Sequence, residues 1–84
     1  MPMHDPAHPG EIIRESMEAV GWSVAECADQ LRISRGTMSR LLNGRSSITP
    51  RVALALEEIG WSNAEFWLRV QSGYDLARER KTAA

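Results

Sequence analysis

Between residues 32 and 51 the chain carries five arginines, Arg32, Arg35, Arg40, Arg45 and Arg51, and no aspartate or glutamate. A guanidinium is permanently charged and forked, so it pairs in bidentate fashion with a phosphate or with O6 and N7 of guanine. The other 64 residues hold five Lys/Arg against eleven Asp/Glu. The formal charge of −1 therefore hides a basic segment set in an acidic body. Local asymmetry of this kind, not the total, is what a polyanion meets. One lone arginine would read as a solvated side chain. Five without an acid read as a nucleic-acid surface if the chain presents them together.

The elements that would present them are helices. Apolar residues recur at helical spacing throughout the chain, and no alternating strand pattern occurs. The first helix opens at His8-Pro9-Gly10-Glu11, with Pro9 suited to the first helical position, and Ile12, Ile13, Met17 and Val20 form its apolar stripe. The second begins at Ser23, where Ser23-Val24-Ala25-Glu26 is a capping box and Trp22 with Cys27 a hydrophobic staple. The third begins at Ser34, with Ile33 and Met38 as its staple, and stops at Asn43-Gly44. The fourth follows Thr49-Pro50, with Val52, Leu54, Ala55, Leu56 and Ile59 as its apolar residues. The fifth is expected to start at Ser62, because Gly60-Trp61-Ser62-Asn63-Ala64-Glu65 repeats the pattern Gly21-Trp22-Ser23-Val24-Ala25-Glu26. The polar run from about Arg78 is expected to fray. The fold class is thus all-α with five helices. The expected domain plan is a flexible segment 1–8, a helix-turn-helix domain 9–77 with a C-terminal dimerisation helix, and a polar tail 78–84.

Helices over residues 23–31 and 34–42 leave only Arg32 and Ile33 between them, which forces a sharp turn and makes the second helix project. Such a helix can enter the major groove. With Met38, Leu41 and Leu42 turned inward, Arg35, Gly36, Thr37 and Arg40 are left to read bases. Ser34, Ser39, Asn43, Arg45 and Arg51 suit phosphates, with Ser23 at the start of the preceding helix as a further anchor. One such helix reads few base pairs, so a two-fold pair is expected. Phe66, Trp67, Val70, Tyr74 and Leu76 occupy more than one face of the fifth helix and are the candidate dimer contacts; the alternative is that its aromatics are all core. Glu11, Glu15 and Glu18 form an acidic ridge on the first helix, either a solvated face or a seat for a basic protein.

Other chemistry is poorly served. No Ser/His/Asp or Cys/His set, phosphate-cradling glycine loop or metal-spaced cluster is present, so neither an enzyme nor a cofactor is expected. His4 and His8 are four apart in a proline-rich start. The single cysteine, Cys27, excludes an internal disulfide, lies on an apolar helical face as a core group, and fits a reducing cytoplasm. No apolar run reaches the ~20 residues of a membrane span, and the opening residues do not read as a signal peptide. Competing readings are a stand-alone repressor and a protein-binding helical adaptor.

Three segments carry a family resemblance: the opening from His8 to Glu15, the run from Leu31 to Arg45, and Glu65-Phe66-Trp67-Leu68-Arg69-Val70-Gln71-Ser72-Gly73-Tyr74-Asp75-Leu76. Together they resemble the lambda-repressor-like (XRE) helix-turn-helix family, and within it the HigA/VapI-type antitoxins. The resemblance implies a homodimer that represses its own operon and neutralises a cognate toxin, a small basic ribonuclease that cleaves mRNA on the ribosome. It implies a cytoplasmic, nucleoid-associated location. It places Arg35, Gly36, Thr37 and Arg40 at base-facing positions and Asn43, Arg45 and Arg51 in the phosphate-facing region. Two residues depart from the family: Arg32 stands where many members have glycine, and Cys27 where leucine is common.

Overall fold

The computed structural model describes residues 6–83, which form α1 (Pro9–Val20), α2 (Val24–Leu31), α3 (Arg35–Leu42), α4 (Pro50–Glu58) and α5 (Ala64–Ala83). The architecture is all-α, as expected, with no strand among the described residues. Of the two N-terminal histidines, from which no metal site is expected, His4 lies outside the described residues.

Side chains start the helices. The Ser23 capping box is complete: its Oγ accepts from the Glu26 amide at 3.1 Å, and Glu26 Oε1 accepts from the Ser23 amide at 2.9 Å. Ser34 and Thr49 cap α3 and α4 by accepting from Thr37 N and Val52 N. In α1 the cap is His8, whose Nδ1 accepts from the Gly10 amide at 3.1 Å. The expected cap of α5 moves by one residue. Ser62 takes φ +64, not the extended backbone typical of an N-cap, and Asn63 Oδ1 accepts from the Phe66 amide at 2.7 Å instead. The Ala64 amide then donates to Glu57 Oε1 at 2.8 Å, so α4 helps to start α5. The repeated Gly-Trp-Ser pattern therefore has two local solutions.

The core gathers Ile13 and Met17 of α1, Cys27, Ala28 and Leu31 of α2, Met38, Leu41 and Leu42 of α3, Ile48, Val52, Ala53 and Leu56, and Ala64 and Trp67 of α5. Two expected stripe residues lie outside it: Val20 is 51% exposed and Leu54 57% exposed. Val20 is the last residue of α1, past its packed turns, and in α4 the neighbouring Ala53 faces inward in place of Leu54. Helix α5 does not end near Ala77 but continues through Ala83, and Gly73 does not interrupt it. It buries only Ala64, Trp67 and Gln71, all in its first half.

Glycine at position 10 is required by close packing. A Cβ there would collide with the Leu41 carbonyl oxygen and stand 2.7 Å from that of Leu42. The start of α1 is thereby seated directly on the end of α3.

Candidate nucleic-acid interface

Helix α2 ends on Arg32 at φ +59, ψ +42, with the Arg32 amide donating to Asp29 O at 3.1 Å and the Ile33 amide to Ala28 O at 3.0 Å. This paired closure turns the chain sharply. Ile33 packs on the core, and Ser34 caps α3 at once. Helix α3 is then strictly two-sided. Met38, Leu41 and Leu42 are buried, while Arg35, Gly36, Ser39 and Arg40 are exposed and Thr37 half-buried.

The outer side of α3 is organised by its own hydrogen bonds. Ser34 Oγ donates to Thr37 Oγ1 at 2.9 Å, and Arg40 Nη2 donates to the same oxygen at 3.3 Å. Arg40 Nη1 would lie 3.5 Å from a Cβ on Gly36, so the guanidinium is laid back toward the start of the helix. Asn43 Nδ2 donates to Ser39 O at 2.9 Å and closes the helix. The base-reading candidates Arg35, Gly36, Thr37 and Arg40 thus share the outer side of α3, with Thr37 and Arg40 joined by a hydrogen bond.

After α3, Gly44 takes φ +72, its amide donates to Leu41 O, and the Arg45 amide donates to Arg40 O at 2.8 Å. Arg45 and Arg51, the latter in the first turn of α4, are both exposed. The connecting segment is held from behind by Gln71 of α5. Its buried Oε1 accepts from the Ile48 amide at 2.7 Å, and its Nε2 donates to Asp75 Oδ1 at 2.9 Å. Leaving such a buried amide unpaired would cost about 1–3 kcal/mol. Ser23 suits a phosphate less well than the other candidates, because the Glu26 carboxylate already accepts from its amide. Those hydrogen bonds from Ser23 hold the Glu26 carboxyl below its ordinary value, while burial pushes the Cys27 thiol up to about 11 and leaves it a neutral packing group.

The α5 candidates divide. Trp67 is 1% exposed, its Nε1 donates to Trp61 O at 2.6 Å, and it closes the chain's own core, so it offers nothing to a partner. Tyr74 meets the His8 ring edge-on at 5.6 Å and lies under the Arg78 guanidinium at 5.5 Å, so it too is engaged within the chain. Phe66 and Val70 are half-buried and Leu76 is 49% exposed. Glu11, Glu15 and Glu18 are all exposed on α1. Sequence reasoning missed the supporting roles of His8 and Gln71, and the packing of Trp22 against Trp61 at 5.2 Å. Apart from the local cap of His8 on Gly10, their partners Tyr74, Ile48 and Trp61 are distant in sequence, so no local spacing signals them.

A family model described as a helix-turn-helix domain matches residues 10–59. The HTH-type transcriptional regulator YddM of Escherichia coli strain K12 is 37% identical over 82 residues, spanning 98% of this chain and 87% of YddM. A HigA-family addiction module antidote protein from Coxiella burnetii superposes with a TM-score of 0.90 at 34% identity, covering 95% of this chain and 88% of that one. Antitoxin HigA of Pseudomonas aeruginosa, solved with the higBA promoter, superposes with a TM-score of 0.86 at 32% identity, covering 92% and 85%. With the helix-turn-helix, its two-sided third helix and these likenesses in hand, the chain belongs to the XRE-type helix-turn-helix family, in its non-enzymatic HigA-type antitoxin branch.

Proposed function

We propose that this chain is the DNA-binding antitoxin of a toxin–antitoxin pair, which sits as a homodimer on its own operator and captures a cognate toxin. The observation that carries the DNA part is the outer strip of α3: exposed, acid-free and ordered by the Ser34–Thr37–Arg40 hydrogen bonds. The strip enters a major groove, where Arg35 and Arg40 meet guanine edges, Thr37 offers its methyl to thymine, and Gly36 allows close approach. Ser34, Ser39, Asn43, Arg45 and Arg51 fix the register on phosphates. The solved HigA on promoter DNA supports this reading.

The dimer rests on α5. Its second half buries no residue of the chain, and an isolated helix of so few turns is marginal in water. Phe66, Val70 and Leu76 are the contacts that remain available. The toxin part rests on the exposed carboxylates Glu11, Glu15 and Glu18, which suit a small basic ribonuclease.

The test is a footprint and a titration on the chain's own promoter, with and without the product of the adjacent gene. Arg40→Ala is expected to cost about 1–3 kcal/mol on the operator and to relax base preference at one position. Arg45→Ala is expected to weaken all duplexes about equally and to lower the salt slope by about 1. Identical behaviour of the two variants refutes the division into reading and anchoring residues. Specific binding that the adjacent gene product neither joins nor alters indicates a stand-alone repressor.

A further inference from the structure

We infer that His8 is a positioning residue for DNA binding: its ring, separately from its capping nitrogen, holds the turn that aims Asn43 and Arg45. The inference rests on the DNA-binding reading above. The two halves of the imidazole face different tasks. Nδ1 accepts from the Gly10 amide at 3.1 Å and starts α1. The remainder of the ring faces Gly44: a Cβ built there would stand 3.4 Å from Cδ2 and 3.5 Å from Cγ and Nε2. The ring therefore borders the turn at the reach of a single added carbon.

Gly44 is the left-handed residue of the turn, at φ +72, and the next amide, that of Arg45, is tied to Arg40 O at 2.8 Å. A displacement at Gly44 therefore moves both neighbours that face solvent. The ring is itself braced from behind. The Tyr74 edge meets it at 5.6 Å and 65°, Arg78 lies over Tyr74, and Glu11 Oε1 stands 3.9 Å from Nε2. The seat of Gly10 on the Leu41 and Leu42 carbonyls fixes the distance between ring and turn. The His8 side chain is only 18% exposed.

Two substitutions separate the tasks in the full-length chain. His8→Asn keeps a side-chain acceptor for the Gly10 amide and removes the ring, whereas His8→Phe keeps a ring and removes the acceptor. The probe is a random-sequence duplex of about 30 base pairs titrated between about 50 and 200 mM KCl, because phosphate contacts are independent of sequence and set the salt slope. Thermal melts are recorded on the same samples. His8→Asn is expected to melt close to wild type yet to bind roughly three- to tenfold more weakly, with the slope of log K against log[salt] reduced by about 1. His8→Phe is expected to melt lower while its folded form keeps the wild-type affinity and slope. In an Arg45→Ala background, His8→Asn is expected to change the slope little further.

A His8→Asn variant with wild-type affinity and slope overturns the inference. So does a His8→Phe variant that loses affinity as His8→Asn does, since a ring at this position would then not suffice to hold the turn. Wild-type chain that binds no duplex at low salt removes the DNA-binding reading itself, a result distinct from either.

Discussion

Arg32 is, with Ser62, one of two non-glycine residues at positive φ among the described residues. It adopts φ +59 at the end of α2, while the equivalent positions after α1, α3 and before α5 are Gly21, Gly44 and Gly60. A left-handed L-residue costs roughly 1–2 kcal/mol, offset in part by the greater freedom that glycine gains in the unfolded chain. Arg32→Gly is therefore expected to raise stability by about 0.5–1 kcal/mol, seen as a melting temperature higher by a few degrees. An unchanged or lower melting temperature would mean that the arginine side chain returns the cost through its own contacts. Cys27, the other departure from the family pattern, is fully buried and carries a thiol pushed up to about 11, so it acts as a small apolar filler.

The helices α1 to α4 close with one device: the amide after the left-handed residue reaches back five positions, as in Trp22 to Met17, Ile33 to Ala28, Arg45 to Arg40 and Trp61 to Leu56. An apolar contact normally accompanies that bond, and Trp22, Ile33 and Trp61 pack against the core. At the end of α3 the same position holds an exposed arginine. One turn of the four thus leaves its side chain exposed while keeping the backbone geometry of the rest. The opposite ends of the helices carry the pH dependence. Glu26 has its carboxyl held below its ordinary value of 4.5 by hydrogen bonds from Ser23. A depressed carboxyl stabilises the fold above the unfolded value, and that contribution is lost as pH falls through the folded value. Relative to Glu26→Gln, the wild type is expected to be more stable at neutral pH, with the difference vanishing on acidification below 4.5. A difference that does not vary with pH would dismiss the charge of the capping box as its source. Ser23→Ala, which removes the reciprocal acceptor, is expected to cost about 1 kcal/mol at neutral pH in a denaturant titration.

At the scale of the whole molecule, the chain presents a single outward-facing α3, so the proposed reading of a palindrome needs two copies with these helices about 34 Å apart. The molecule is elongated, 40 × 22 × 21 Å, with a 20-residue helix whose outer half lies beyond the core. The structure separates two kinds of α5 residue that composition alone treats alike. Trp67→Ala is expected to cost about 3–5 kcal/mol and to unfold much of the chain, because that side chain fills the core. The double change Val70→Glu and Leu76→Glu is expected to leave helicity intact in circular dichroism. Light scattering should then report the monomer mass, with operator affinity down more than about tenfold. A double variant that stays dimeric would move the interface off α5.

Most of the helix-turn-helix was legible in the residues, because its determinants are local. The Ser23 capping box and the caps at Ser34 and Thr49 act within one helical turn, as does the inward set Met38, Leu41 and Leu42. The acid-free arginine segment is a property of composition. Tertiary packing alone decided the rest, since its partners meet only when distant helices do. Ser62 cedes its cap to Asn63 once Glu57 takes the Ala64 amide. Tyr74 turns to His8 and Trp22 to Trp61. Gln71 becomes the support of Ile48 across 23 residues, and Leu54 gives its place in the core to Ala53. Periodicity states which face of a helix is apolar; only the approach of its neighbours determines which of those residues is covered.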